Sequence, residues 1–358
     1  MTALRFLPLA ALWAAPLAAQ AAGRHSLQGS EVAVYDLIGT VQIEAGGGDA
    51  VVVQVTPDGA DAAQLKVAEG NLGGRPTLRV VYPGDRFQYP KMDRGSTEVR
   101  VRDDGTFGDH GHHHHDDDDD IDSDGRRVRI SSSGGGLSAW ADLKLSVPAG
   151  HVVILHLAVG QVTATNVDGQ LRLSTVSAPI TVTGMKGSLM ARVGAGDVRV
   201  SGMEGDIEAE TGSGNVELTR ARGHEVTIET GSGTVIASTV EADHLSVETG
   251  SGDVKISGAK APRVGLETGS GTVTVELTGQ LDRLDIETGS GDVAITAPAN
   301  LGAELAMDTG SGDISTDFPL TVTRTARDHL RGTVGDGKGR ITVETGSGGV
   351  RLLKARSS

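Results

Sequence analysis

The 358-residue chain has no cysteine, few aromatics and no long apolar run after its first residues. Each absence removes a class of protein. Without Cys there are no disulfides, no thiolate metal sites, no thiol nucleophile and no lipidated cysteine of the bacterial lipoprotein kind. With aromatics at 3%, any core must be built from Val, Ile, Leu, Ala and Thr. No later stretch approaches the 18 apolar residues of a membrane-spanning helix. Cationic charge is also short, and the net charge of -15 argues against binding nucleic acid or docking on anionic lipid. No Gly-x-Ser-x-Gly and no His-Glu-x-x-His is present, so the reading is non-enzymatic. Gly332 to Gly339 nearly spells a phosphate loop, but Gly339 stands where Ser or Thr should reach magnesium, and Arg340 to Val343 reads as a strand.

The beginning of the chain reads as an export signal. Arg5 precedes the apolar run Phe6 to Ala15, and Ala19-Gln20-Ala21 offers a cleavage site near Ala21/Ala22. Residues 1–21 are therefore assigned to a signal peptide, and the product is expected in the periplasm or outside the cell. Residues 26–82 hold alternating β-type runs separated by Gly-rich turns, and are expected to form irregular first coils. Residues 83–125 lose the pattern and read as a low-complexity insertion that should be disordered or exposed. Within it, Asp109 to Asp124 carries eight Asp, about half of the formal net charge. His112, His113, His114, His115, Asp116 and Asp117 could capture zinc, nickel or copper, although ligands without fixed spacing on a rigid element bind weakly.

What the chain has in abundance is glycine, 52 residues, and one phrase repeated seven times. Glu-Thr-Gly-Ser-Gly begins at Glu210, Glu229, Glu248, Glu267 and Glu287, then as a variant at Asp308, and again at Glu344, at spacings of 19, 19, 19, 20, 21 and 36. A period near 20 is the mark of a solenoid, whose units bury their apolar faces only against one another. Between phrases apolar residues alternate, as in Val216 and Leu218, then Val226, Ile228 and Thr230. That is strand periodicity, with one face buried and one wet. The fold class predicted for residues 126–354 is an all-β parallel β-solenoid of about 19 residues and two short strands per coil, with right-handed winding expected. Ten coils would make a rod on the order of 45 Å long.

Parity divides the phrase. If Ile228 points inward, Thr230 does too, and Glu229 points out. The Thr column should lie at an inner corner, where hydroxyls can satisfy turn amides or one another, and Gly-Ser-Gly should turn the chain. The outward ladder Glu210, Glu229, Glu248, Glu267, Glu287, Asp308 and Glu344 is the candidate binding surface. It reads as a solubilising stripe, as a site for divalent cations, or as a surface for a partner's Lys and Arg. The Gly-Ser-Gly-Asp corners differ from the calcium nonapeptide of β-roll toxins in Asp placement and in period, and Asp197, Asp253, Asp292 and Asp313 alternate with Asn215, Thr234 and Thr272.

Three marks in order resemble the DUF4097 family of bacterial adhesin-type proteins over Leu143 to Leu352. They are Val147-Pro148-Ala149-Gly150, the Thr-Gly-Ser-Gly-Asp-Val corners, and Leu330-Arg331-Gly332-Thr333-Val334-Gly335-Asp336-Gly337. The resemblance implies a β-solenoid at the cell envelope with an adhesive or scaffolding role and no catalytic residues. The expected partner is an envelope protein or glycan, self-association into a homo-oligomer stays open, and no cofactor is expected beyond a weakly held divalent cation. A polysaccharide-active β-helix enzyme is a further alternative, disfavoured by the scarcity of aromatics, with Trp140 the one Trp beyond the signal.

Overall fold

A computed structural model describes residues 23–93, 95–108 and 125–355 of the chain. Among these residues there is no α-helix; apart from the 3-10 turn Ala62–Gln64, the regular structure is β. One continuous sheet takes in 27 strands. Its repeating part consists of two parallel ladders. The first stacks Ile207–Ser213, Glu225–Ser232, His244–Ser251, Arg263–Ser270 and Arg283–Ser290; the second stacks Val216–Arg222, Val235–Glu241, Val254–Lys260, Val273–Leu277 and Val293–Ala297. Each strand pairs with the strand two along the chain, so like residues lie over like residues. Val216, Val235, Val254, Val273 and Val293 form one interior column, and Val226, Leu245, Val264 and Leu284 form another on the other ladder, all at most 2% exposed. A buried aliphatic side chain contributes about 1.5–3 kcal/mol, so every level adds several such terms.

The order of levels differs from the order of the sequence at the C-terminal end. Arg283–Ser290 pairs with Gly339–Thr345, and only beyond that lies Ala303–Thr309; likewise Val293–Ala297 pairs with Val350–Lys354, which then pairs with Ile314–Thr316. The last coil of the chain is thus inserted between two earlier ones. The ladder expected in sequence order is corrected accordingly: Glu344 sits between Glu287 and Asp308. A periodic sequence fixes a residue's position within its coil and leaves the level of that coil open.

The N-terminal residues, expected to form irregular first coils, extend the stack. Glu31–Ala45 is one full coil, paired from Glu31↔Val152 to Glu44↔Thr165 with His151–Thr165. Arg75–Val81 and Trp140–Val147 complete the next level in parallel with it. Beyond them the remaining N-terminal strands Lys66–Leu72, Ala50–Asp58 and Gly23–Gln28 run antiparallel and close that end. At the other end His329–Val334 runs antiparallel over Ala303–Thr309, and Thr321–Thr325 pairs antiparallel with His329–Val334 in turn. Both ends of the parallel stack are therefore covered by reversed strands, as a stack with open edges requires.

The stretch 83–125, expected to be wholly disordered or exposed, is ordered at its flanks. Arg86–Gln88 and Ser96–Val101 pair with Arg126–Ser131 in a separate three-stranded sheet, so Val128 and Ile130 belong to that sheet and not to the solenoid. The physical reason is apolar content: Phe87, Tyr89, Val101 and Phe107 are all buried. The His/Asp run itself, His112 to Asp117, lies outside the described residues, as do the signal residues 1–21.

The two edges of the rod obey different rules. At the Gly-Ser-Gly corner the step is constant: five positions lead from the buried Thr to the first residue of the next strand, as from Thr211 to Val216, Thr288 to Val293, Thr309 to Ile314 and Thr345 to Val350. On the opposite edge the gap is two residues from Arg222 to Glu225, and it widens to five from Leu277 to Arg283 and from Ala297 to Ala303. The excursion through Thr321–Val334 leaves from that same edge. Just before it, one register position holds Gly202, Arg220, Thr239 and Gly258 at φ 68°, 53°, 56° and 68°. Thr239 is β-branched, so this backbone is costly for it. Thr239→Gly should stabilise the protein by about 0.5–1 kcal/mol after glycine's own entropy loss. The thermal midpoint would then rise by roughly 2 °C, and an unchanged or lower midpoint would refute the assignment.

Candidate functional site

The corner phrase builds the most regular surface feature of the molecule. Thr211, Thr230, Thr249, Thr268, Thr288, Thr309 and Thr345 are buried at 1–6% exposure. Their hydroxyls were expected to meet amides or each other. Instead they donate to carbonyls of corner glycines on the neighbouring level: Thr211 to Gly196 at 3.1 Å, Thr230 to Gly214 at 3.2 Å, Thr309 to Gly348 at 2.9 Å. Only the Thr288 hydroxyl lacks a protein partner among them.

The residue after the second glycine acts as a peg between levels. Asp197 Oδ1 accepts the Asn215 amide at 2.9 Å, Asn215 Oδ1 the Thr234 amide at 2.9 Å, Asp253 Oδ1 the Thr272 amide at 3.0 Å, and Asp292 Oδ1 the Gly349 amide at 2.8 Å. The Thr272 amide, followed by the Lys255 ammonium, holds the Asp253 carboxyl below the usual range. The alternation of Asp or Asn with Thr was visible in the sequence, but its use as a hydrogen-bond ratchet was not.

The acidic residues turn outward. Glu210, Glu229, Glu248, Glu267, Glu287, Glu344 and Asp308 follow one another in direct register, with strands about 4.8 Å apart. Arginine closes each end. Arg192, next in register to Glu210, reaches it at 3.2 Å and Glu208 at 2.7 Å; Arg331 reaches Asp308 at 2.6 Å. Among the described residues, no cation lies within ion-pair distance of Glu229, Glu248, Glu267, Glu287 or Glu344. Partial burial, then Glu248, Glu210 and Glu208, push the Glu229 carboxyl up. Glu267, Glu287, Glu344 and Asp308 also line a shallow groove of about 700 Å³ whose floor is Gly269, Gly289, Gly346 and Gly310.

A second column shows the alternative arrangement. Lys186, Glu204, Arg222, Glu241 and Lys260 follow in register with alternating sign. Lys186 meets Glu204 at 3.2 Å, and Glu241 meets Arg222 at 2.8 Å and Lys260 at 2.6 Å. Hydrogen bonds from Lys260 and then Arg222 lower the Glu241 carboxyl.

Metal binding needs ligands that converge on a point. Parallel stacking instead sets the stripe carboxylates in a line, and no group of three or more His, Asp or Glu among the described residues is arranged to hold a metal ion. No helix among them is long and apolar enough to cross a membrane.

A family model described as Toastrack DUF4097 matches residues 175–353, half of the chain, and spans these columns. The chain belongs to the DUF4097 family. No curated protein matches it. A provisionally assigned cell adhesion protein from Clostridium sporogenes is similar at 8% sequence identity, over 93% of this chain and 98% of that one, with a TM-score of 0.20. In this DUF4097 protein the family match takes in the acidic stripe and both corner ladders. It leaves outside the N-terminal coil Glu31–Ala45 and its cap.

That unmatched coil holds a buried acid that sequence reasoning missed. Asp36 is fully buried, with Oδ1 2.6 Å from the Tyr82 hydroxyl, which lies 2.8 Å from the Ile38 carbonyl oxygen. Burial pushes the Asp36 carboxyl well above its ordinary value and raises Tyr82 as well. A neutral Asp36 fits the geometry, donating to the Tyr82 oxygen while Tyr82 donates to Ile38. A raised folded-state pKa stabilises fully below the unfolded value near 3.9, and the contribution is lost as pH rises toward the folded value. Asp36→Asn keeps a donor and removes the titration. The midpoint advantage of the variant over the wild type should therefore grow as pH rises from about 4 to 7. A constant difference across that range would mean Asp36 is not the titrating group.

Proposed function

We propose that this chain is an exported, non-catalytic binding module of the bacterial cell envelope, adhesin-like in its action. It would be a right-handed rod of about 19 residues and two short strands per coil, presenting its acidic stripe to a cationic partner. The observation that carries the reading is the contrast between two columns of the same rod. Lys186, Glu204, Arg222, Glu241 and Lys260 alternate in sign, whereas Glu229, Glu248, Glu267, Glu287 and Glu344 stand as five like charges in unpaired succession. Like charges directly opposite in a sheet are destabilising, and the fold accommodates alternation elsewhere. Packing therefore does not require the uniform stripe, and a ligand with regularly placed Lys or Arg accounts for it. Equal carboxylates on successive levels give many weak identical contacts whose avidity exceeds any one of them.

The test is the variant carrying Gln in place of Glu229, Glu248, Glu267, Glu287 and Glu344. It should fold with an equal or higher thermal midpoint, since repulsion is removed. Retention of envelope protein on the immobilised wild type should fall between 50 and 500 mM salt, and should be largely lost with the variant. Unchanged retention by the variant would eliminate the stripe as the binding surface. Retention by the wild type that disappears with chelator would indicate cation bridging in place of direct pairing.

A further inference from the structure

The outward face of the first ladder changes character toward the N-terminal end. Where the repeats carry Glu210, Glu229 and Glu248, the same register position in earlier levels holds Arg192, Ser174, His156 and Tyr35. Over this end lies a cavity of about 840 Å³, within the range of small-molecule sites. Its floor is an aromatic stack, with Tyr35 and His156 rings parallel at 4.5 Å and Phe107 edge-on to both. Leu72, Ile154 and Met190 add apolar wall.

Three guanidiniums line the cavity, and they are not equivalent. Arg192 is hydrogen-bonded to Glu208 and Glu210. Arg75 and Arg172 share a single carboxylate, Glu31, at 3.5 Å and 3.8 Å, distances too long for hydrogen bonds. One positive charge is left over where the two side chains approach, in a protein whose formal net charge is -15. Two hydroxyls on the wall are already engaged as donors: Thr77 to the Arg75 carbonyl at 2.9 Å and Thr106 to Asp104 at 2.7 Å. The cavity thus offers an anion a paired guanidinium fork and, beside it, offers a ligand body the apolar patch of Leu72, Ile154, Met190 and the aromatic stack.

We propose that this cavity binds a small amphipathic carboxylate. Its carboxylate would lie between Arg75 and Arg172, and its apolar body over Ile154, Met190 and the Tyr35–His156 stack. Guanidinium matches carboxylate in planar bidentate fashion, and Glu31 is the internal group the ligand competes with. The proposed contacts do not use the acidic stripe, which meets the cavity only at Arg192.

The test is calorimetric titration of the full chain with 2-naphthoate, 2-naphthylmethanol and galacturonate. Naphthoate should bind at least about tenfold more tightly than the alcohol or the sugar acid. Arg172→Gln and Arg75→Gln should each weaken naphthoate severalfold, and the pair should abolish it, with thermal midpoints showing that the variants fold. Glu31→Gln should strengthen binding, an effect of opposite sign that a damaged fold would not produce. Equal binding of naphthylmethanol, equal binding of galacturonate, no binding of naphthoate, or a double variant that binds as the wild type does would each overturn the proposal.

Discussion

Deleting residues 339–355 should unravel the C-terminal third of the rod instead of shortening it by one step. The deleted coil is the last in the chain but lies inside the stack, between Arg283–Ala297 and Ala303–Thr316. Its Ile341, Val343, Val350 and Leu352 have no exposed surface. At about 1.5–3 kcal/mol for each buried aliphatic side chain, their removal forfeits on the order of 10 kcal/mol of burial. Both flanking levels would also lose a full row of backbone partners. In a stack stabilised by nearest neighbours, the N-terminal coils should survive such a loss. Hydrogen exchange of the shortened chain should therefore show protection retained through Val254–Lys260 and lost in Arg283–Ser290 and Ala303–Thr309. Persistent protection of Ala303–Thr309 would mean that the earlier coil can close directly on Arg283–Ser290, and the prediction would fail.

The second large effect concerns a single methyl-bearing side chain at the corner. Gly252→Val should cost about 3 kcal/mol or more and lower the thermal midpoint by roughly 6 °C or more. Gly252 has φ +148°, and a Cβ there would stand 2.0 Å from the carbonyl oxygen of Gly233 on the next level. That contact is backbone on backbone, so no rotamer change relieves it, and the levels would have to separate. The same geometry recurs at Gly214, Gly233, Gly271 and Gly291. Ser251, one residue earlier, points into solvent, and Ser251→Ala should stay within about 0.5 kcal/mol of the wild type. A Gly252 variant as stable as the Ser251 variant would show that the stacking at this corner is looser than described.

Much of this architecture could be read from residues alone, for a physical reason. Strand parity is strict, so placing Ile228 inside forced Thr230 inside and Glu229 outside, and burial follows that rule through the whole repeat. What parity cannot give is the order of levels, because Glu344 and Asp308 carry nearly the same phrase and either could follow Glu287. It gave Glu31–Ala45 only as part of irregular first coils, because that strand has no Gly-Ser-Gly by which to phase it. The arginine-lined cavity was invisible for a different reason. Tyr35, Arg75, His156 and Arg172 come from distant parts of the sequence, and only the stacking of an early coil on a later one brings them together. The acidic stripe was legible as a ladder, while the arginines that end it were not, since Arg331 arrives on a reversed strand.

The unequal edges of the rod have a consequence for how such a molecule can diversify. The Gly-Ser-Gly edge sets the pitch, and any added atom there is felt on every neighbouring level. The opposite edge already carries gaps of two and five residues and one long excursion, with a register shift between Ile256 and Ala259 where the gap widens, while the ladder through Arg263–Ser270, Arg283–Ser290 and Gly339–Thr345 stays in register. Sequence gained or lost along that edge would change what the rod displays while its spacing stays constant. The stack is thus a ruler with fixed graduations along one margin and free attachment along the other.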